Sequence, residues 1–195
     1  MSKLIIITGI SGSGKSTISK VIYNHYKKST LISMDILKEN IYELVGFYNY
    51  NQKQNLKKIV YNTFLKLLEE CMNRNDENII IEYPFNKTWE NDFKSLLKKY
   101  DYNAITIRVK SISYDTIYER LNIRNNGSNR HPSHSLINYN PKMKDIYKST
   151  NELKYDELKE DYESNKYTSL NIGKTIDFIN DNFNFDNLIS LIDGD

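Results

Sequence analysis

The stretch Lys3-Leu-Ile-Ile-Ile-Thr8-Gly9-Ile-Ser-Gly-Ser-Gly-Lys15-Ser16 decides the fold. It runs an apolar segment of strand length directly into the full pattern G-x-x-x-x-G-K-[ST], and a helical pattern starts where the loop ends. Glycines let the backbone wrap an anion without a Cβ in the way, so successive N–H groups point inward. The helix expected from about Lys15 to Tyr26 adds the positive end of its dipole. In such a loop the lysine, here Lys15, bridges the β- and γ-phosphates of ATP, and the Ser16 hydroxyl holds Mg²⁺. The nucleotide is therefore expected on Gly9, Ser11, Gly12, Ser13, Gly14, Lys15, Ser16 and Thr17.

Outward from this loop, strand-length apolar runs alternate with longer helical patterns, the signature of an α/β fold with a mostly parallel sheet. Strands are expected at Lys3 to Thr8, Thr30 to Met34, Asn78 to Glu82, Ala104 to Val109 and Thr175 to Ile179. Helices are expected at Ile36 to Val45, Gln54 to Asn73, Trp89 to Tyr100, Ser113 to Asn125, Asn151 to Glu163 and Asp186 to Ile192. The three isoleucines before Glu82 call for burial on both faces, as at the centre of a parallel sheet. Ser113 suits an N-cap. Asn126 to Pro141, rich in Asn, Ser, His and Pro, reads as a loop or lid. There are no internal repeats and no linker, so residues 1–195 read as one domain with a lid segment at about 113–141.

Composition narrows the class. The 195 residues are 39% hydrophobic and 27% charged, with 27 basic residues against 25 acidic ones. That balance fits a globular protein and gives no electrostatic case for a nucleic-acid partner. No run approaches membrane-span length, and the N-terminus has no signal-peptide pattern, so a cytoplasmic location is expected. Cys71 is the only cysteine, which rules out an internal disulfide; its helical spacing with Phe64, Leu67, Leu68 and Met72 suits a core position. His131 and His134 have no acidic or cysteine neighbour in sequence to make a zinc site.

The loop alone is shared by kinases, GTPases and ATPase motors. There is no D-x-x-G switch, and Asn86-Lys87-Thr88-Trp89 fails as the guanine-reading N-K-x-D. The third strand ends in a lone Glu82 rather than the Asp-Glu pair expected of a hydrolytic motor, and the transporter signature L-S-G-G-Q is missing.

Four features together resemble the small P-loop kinases allied to nucleoside monophosphate kinases. The nearest branch holds the zeta-toxin-like, chloramphenicol phosphotransferase-like and polynucleotide 5′-hydroxyl kinase-like proteins. Besides the loop, Ile32-Ser-Met-Asp35-Ile-Leu-Lys38 resembles a second strand ending in an acidic base, and Ile79-Ile-Ile-Glu82-Tyr-Pro-Phe an acidic third-strand end. Glu119-Arg-Leu-Asn-Ile-Arg124 and Asn129-Arg-His-Pro132 resemble the lid helix and its loop. The resemblance covers roughly residues 3 to 135 and the final strand and helix. It implies a three-layer fold with a five-stranded parallel sheet, helices on both faces and a lid. It also implies ATP-dependent transfer of a γ-phosphoryl group to a hydroxyl of a small or nucleoside-like acceptor, with ATP and Mg²⁺ as cofactors. A polynucleotide 5′-hydroxyl kinase and a non-catalytic ATP-binding protein are the alternatives. Many relatives have arginine where this chain has Lys38, which cannot grip a phosphate bidentately. The segment Lys142 to Gly173 matches nothing in the resemblance.

Residue by residue, Asp35 stands at the carboxyl edge of the sheet, where open α/β sheets bind ligands, and can accept a hydroxyl proton. It also suits the cap of the helix beginning at Ile36. Glu82, costly to bury unless paired or facing a cleft, is expected to hold Mg²⁺ or the acceptor, with a surface salt bridge as the plainer use. Arg120, Arg124 and Arg130 are three of five arginines in the chain, the others being Arg74 and Arg108. Clustered so, they could clamp the transferring phosphoryl group, with Arg120 and Arg124 also on the nucleotide. Asp35, Lys38, Glu82, Arg130 and His131 are the expected acceptor-binding residues. Ile36 to Asn73 would build the acceptor pocket with Tyr42, Phe47, Tyr48 and Tyr50 available; Lys53, Lys57, Lys58, Lys142 and Lys144 would meet phosphates if the acceptor were a polynucleotide.

Overall fold

A computed structural model describes residues 2–74, 76–126, 131–147, 155–180 and 185–194. Its strands are β1 (Lys3–Thr8), β2 (Ser29–Ser33), β3 (Asn78–Glu82), β4 (Asn103–Lys110) and β5 (Lys174–Ile179). All neighbours pair in parallel, in the order β2-β3-β1-β4-β5. The helices are α1 (Lys15–His25), α2 (Met34–Val45), α3 (Tyr50–Arg74), α4 (Glu90–Lys99), α5 (Tyr114–Asn126), α6 (Tyr155–Glu163) and α7 (Phe185–Asp193).

Strand alternation sorts the core into two layers. Leu4, Ile6, Ile79 and Ile81 face a cluster with Phe64, Leu68 and Cys71 of α3 and Phe93 of α4. Ile5, Ile7, Ile80 and Ile107 face the opposite cluster, covered by Ile18 and Ile22 of α1 and Leu188 and Ile192 of α7. The isoleucine run of β3 is thus buried on both sides, as its sequence requires. Cys71 is a buried free thiol. Among the described residues no helix is long and apolar enough to cross a membrane.

Several boundaries shift for local reasons. Helix α3 begins at Tyr50 rather than Gln54, because Asn49 Oδ1 accepts the Gln52 amide at 2.9 Å and its carbonyl accepts that of Lys53. Helix α2 begins at Met34 with Ser33 at the cap position. Asp35 is therefore inside the first turn and not the cap. There its carboxylate still meets the favourable end of the helix dipole. Ser113 caps as expected, its Oγ accepting the Thr116 amide at 3.2 Å.

The stretch read as a loop or lid is more built than its composition suggests. Its described part carries short 3₁₀ turns at Pro132–His134 and Pro141–Ile146, and Tyr139 is fully buried. Phe47 and Tyr139 exchange backbone hydrogen bonds of 2.9 and 2.7 Å. Glu43 of α2 accepts hydrogen bonds from Tyr139 (2.7 Å), pairs with His131 (2.6 Å) and receives the Lys144 ammonium. Burial works to raise that carboxyl, but Lys144, Tyr139 and His131 together hold it at about 2. The described part of this segment thus packs on α2. The unplaced region 142–173 also contributes to the core, through Leu170 and Ile172, and the Thr106 hydroxyl donates to the Ile172 carbonyl at 2.7 Å.

Ile80 sits fully buried in β3 between Ile5 and Leu31. Truncation to alanine would leave a cavity under α1 that close packing cannot refill. Ile80→Ala should destabilise the chain by about 2–5 kcal/mol, measured by urea denaturation.

Candidate active site

The strand order places the loop after β1 beside the end of β3 and the start of α2, all at the carboxyl edge where the connections diverge. Three glycines fix the loop. Gly9 packs so closely on β4 that a Cβ would meet the Val109 carbonyl oxygen at 2.4 Å. Gly14 has φ +94°, and a Cβ there would lie 1.7 Å from Asn180 Nδ2. That amide donates to the Ser13 carbonyl at 2.8 Å, so the residue after β5 braces the loop from behind. Gly12 rests on Ile117 and Leu121 of α5, where a small cluster with Ile10 ties the loop to α5 and, through Leu158 and Tyr162, to α6.

Inside the loop, Lys15 is 7% exposed and its ammonium donates to the Ile10 carbonyl at 2.9 Å. Burial pulls it down to about 8 against the attraction of Glu82 and Asp35, with Arg124 pushing the same way as burial. Glu82, also buried, has no lysine partner of the salt-bridge kind. Its carboxylate accepts the Ser16 hydroxyl at 2.6 Å and the Ser19 hydroxyl at 3.1 Å. Ser19, three residues after Ser16 on α1, was visible as a helical neighbour but is not part of the loop pattern.

Asp35 faces the loop across a shared cleft. One cavity is lined by Ser11, Gly12 and Gly14 to Thr17 together with Asp35, Glu82, Arg120 and Arg124. A second, continuous in its lining, carries Ser16, Asp35, Lys38, Glu82, Arg124 and His134. Burial acts to raise the Asp35 carboxyl, but the Lys38 ammonium 2.7 Å away, helped by His134 and Lys15, holds it below the usual carboxylate value. Asp35 is thus an ionised acceptor at neutral pH.

Two of the three grouped arginines, Arg120 and Arg124, reach the nucleotide cavity from α5. Arg130 lies outside the described residues. His131 does not face the cleft: Glu43 and the Ser133 hydroxyl, each 2.6 Å away, engage both its ring nitrogens. Its neighbour His134 lines the cavity instead, 2.6 Å from Glu39, and burial lowers it. The short 3₁₀ turn at Pro132–His134, which sets the two rings on different partners, has no periodic signal in sequence. Of the aromatics, Tyr42 borders the acceptor side, Phe47 packs in the core with Tyr139, and Tyr48 and Tyr50 are exposed.

A buried lysine whose folded value lies below its unfolded one destabilises the empty site. Between about 8 and 10.5 the unfolded chain binds the extra proton, so stability rises with pH across that window and the full cost stands below it. Lys15→Met, apolar and of similar length, should make the ligand-free chain roughly 1–3 kcal/mol more stable at pH 7. The gain, read as the difference between the two denaturation curves, should vanish towards pH 10.5.

The comparisons with known proteins agree with this geometry. The model of the family described as AAA domain matches residues 5–140. No curated protein sequence matches. Among solved structures, a protein from Chloroflexus aurantiacus described as a candidate kinase superposes with a TM-score of 0.77 at 18% identity, covering 99% of this chain and 97% of that one. Shikimate kinase from Bacteroides thetaiotaomicron superposes with a TM-score of 0.59 at 16% identity, covering 98% of each chain. Deoxyadenosine kinase from M. mycoides gives 0.52 at 17% identity, covering 97% of this chain and 96% of that one. At these identities the likeness concerns the fold, which is the P-loop kinase fold expected from the sequence. With its phosphate loop, its sheet order and a family match running from β1 past the 131–140 segment, this chain belongs to the AAA domain family.

Proposed function

We propose that the protein is an ATP-dependent kinase that moves the γ-phosphoryl group of ATP to a hydroxyl of a small acceptor. The observation that carries this reading is the shared cleft, in which the phosphate loop and the ionised Asp35 line the same cavities. Phosphoryl transfer asks mainly for in-line positioning and neutralised charge. Lys15 and the loop amides would hold the β- and γ-phosphates, and Arg120 and Arg124 would cover them from α5. Asp35 would take the acceptor hydroxyl's proton as the new O–P bond forms.

The residues present fit Mg²⁺. A carboxylate and a hydroxyl stand side by side at the loop, hard oxygen donors of the kind this ion takes. Ser16 and Glu82 would hold it. Bound there, Mg²⁺ would supply neutralisation of the phosphate charge. The lone acidic residue at the end of β3 and the cavity on the Asp35 side favour transfer to an acceptor over hydrolysis for motor work, even though the family carries the AAA description.

The acceptor is found by a transfer screen with [γ-³²P]ATP over nucleosides, sugars, small alcohols and a 5′-hydroxyl oligonucleotide. With the acceptor identified, Asp35→Asn should bind ATP as the parent does and lose transfer by about 10²–10⁴. Because Asp35 is no cap, stability should change through the lost attraction of Lys38 and Lys15 and the lost charge at the start of α2, by roughly 1 kcal/mol. Full transfer by the variant would assign the proton to another group.

A further inference from the structure

Beyond the Asp35 cleft lies a third cavity, of about 370 Å³, between α2, α3 and the 131–136 segment. It shares the lining residues Lys38, Tyr83 and His134 with the cleft, so the two adjoin along these side chains. Its chemistry differs from the cleft's. Where the cleft holds Asp35, Glu39 and Glu82, no acidic side chain among the described residues lines this end. Instead Lys38, Lys53 and Lys57 converge on it.

The three ammonium groups are not equivalent. Lys38 is committed to Asp35. Lys53 donates to the carbonyls of Leu136 (2.5 Å) and His134 (3.4 Å), neutral partners that leave its charge uncompensated. Lys57 follows one turn later on the same face of α3. Burial, with the repulsion of Lys57 and Lys38, pulls Lys53 down to about 8. The cavity also has an aromatic lining: Tyr61, one turn after Lys57 on α3, and Trp89 lie 4.8 Å apart between ring centres, and Tyr83 lies 6.1 Å from Trp89. Tyr42 lines the same space, is fully buried, and its hydroxyl has no hydrogen-bond partner. A buried hydroxyl without a partner is costly, and this one belongs to a side chain that borders a cavity lined by lysines.

We infer that this recess is the far end of the acceptor site and takes an anionic group, a carboxylate or a phosphate monoester, held by Lys53, Lys57 and the Tyr42 hydroxyl. The acceptor's flat or apolar body lies against Tyr83 and Trp89. Its reacting hydroxyl points back to Asp35. The inference rests on the kinase reading for the role of that hydroxyl, but anion binding is a property of the recess itself. The opposed charges at its two ends orient the acceptor: an anion placed beside Asp35 and Glu82 would be repelled, and one at Lys53 attracted.

The test needs no ATP. The full chain is titrated by calorimetry with phenyl phosphate, benzoate and the neutral benzyl alcohol. At least one of the two anions should bind about tenfold or more tightly than the alcohol, and the better of the two identifies the headgroup. The preference should disappear in Lys53→Gln/Lys57→Gln and weaken in Tyr42→Phe. Because Lys57 is exposed, Lys57→Gln alone, which leaves the packing of Lys53 untouched, should already reduce it. Binding should persist in Lys15→Met, which separates the recess from the phosphate loop. Equal binding of anions and alcohol, anion binding that survives the double substitution, or anion binding lost in Lys15→Met would each overturn the inference. A preserved anion preference in a chain that transfers phosphate to no acceptor would instead overturn the kinase reading alone.

Discussion

The burial of two opposite charges, Lys15 and Glu82, around one loop is the constraint on which the rest of the structure depends. Lys15 and Glu82 are both withdrawn from water, and Asp35 is near enough to act on Lys15. A fold optimised only for stability would not hold an ammonium at about 8 or turn a buried carboxylate towards two hydroxyls. The cost is borne by a doubly buried isoleucine sheet, whose strands end together at this edge. A ligand rich in negative charge would offset the cost of the buried ammonium.

The same constraint explains the less regular parts. The loop must stay rigid if its amides are to point inward, so it is braced on every side: by β4 under Gly9, by α5 under Gly12 and by Asn180 behind Gly14. Asn180 belongs to the end of β5, and the region before it, 166–172, threads Leu170 and Ile172 into the core. On the acceptor side, Glu39 and Glu43 of α2 hold His134 and His131, and these fix the turn that walls the recess. Charge is thus sorted along this edge: Lys15, Arg120 and Arg124 at the loop, Asp35, Glu39 and Glu82 beside them, and Lys53 and Lys57 of α3 beyond.

Much of this was legible in the chain. The phosphate loop, the five strands, the two-sided burial of β3 and the positions of Asp35 and Glu82 follow from local patterns that tertiary packing does not override. What was hidden depends on contacts distant in sequence. Nothing in Asn126 to Pro141 announces that Tyr139 will pair with Phe47, since the bridge joins residues far apart and each lies in an aperiodic stretch. His131 and His134 look equivalent by composition, and only the turn between them assigns one to Glu43 and the other to the cleft. The cap role read for Asp35 failed because Ser33 took that position two residues earlier than the apolar pattern suggested. Lys53 and Lys57 read only as possible phosphate contacts of a polynucleotide, because their place beside Ser133 and His134 depends on contacts distant in sequence.

The central claim, that Glu82 and Ser16 are held for a metal-bound nucleotide, is tested most directly by the Mg²⁺ dependence of ATP affinity. Calorimetric titration of the parent chain and of Glu82→Gln, each with Mg²⁺ and with EDTA, gives four dissociation constants. The account predicts tighter binding with Mg²⁺ in the parent, and in the variant a constant that Mg²⁺ barely changes. An equal gain from Mg²⁺ in both chains would contradict it.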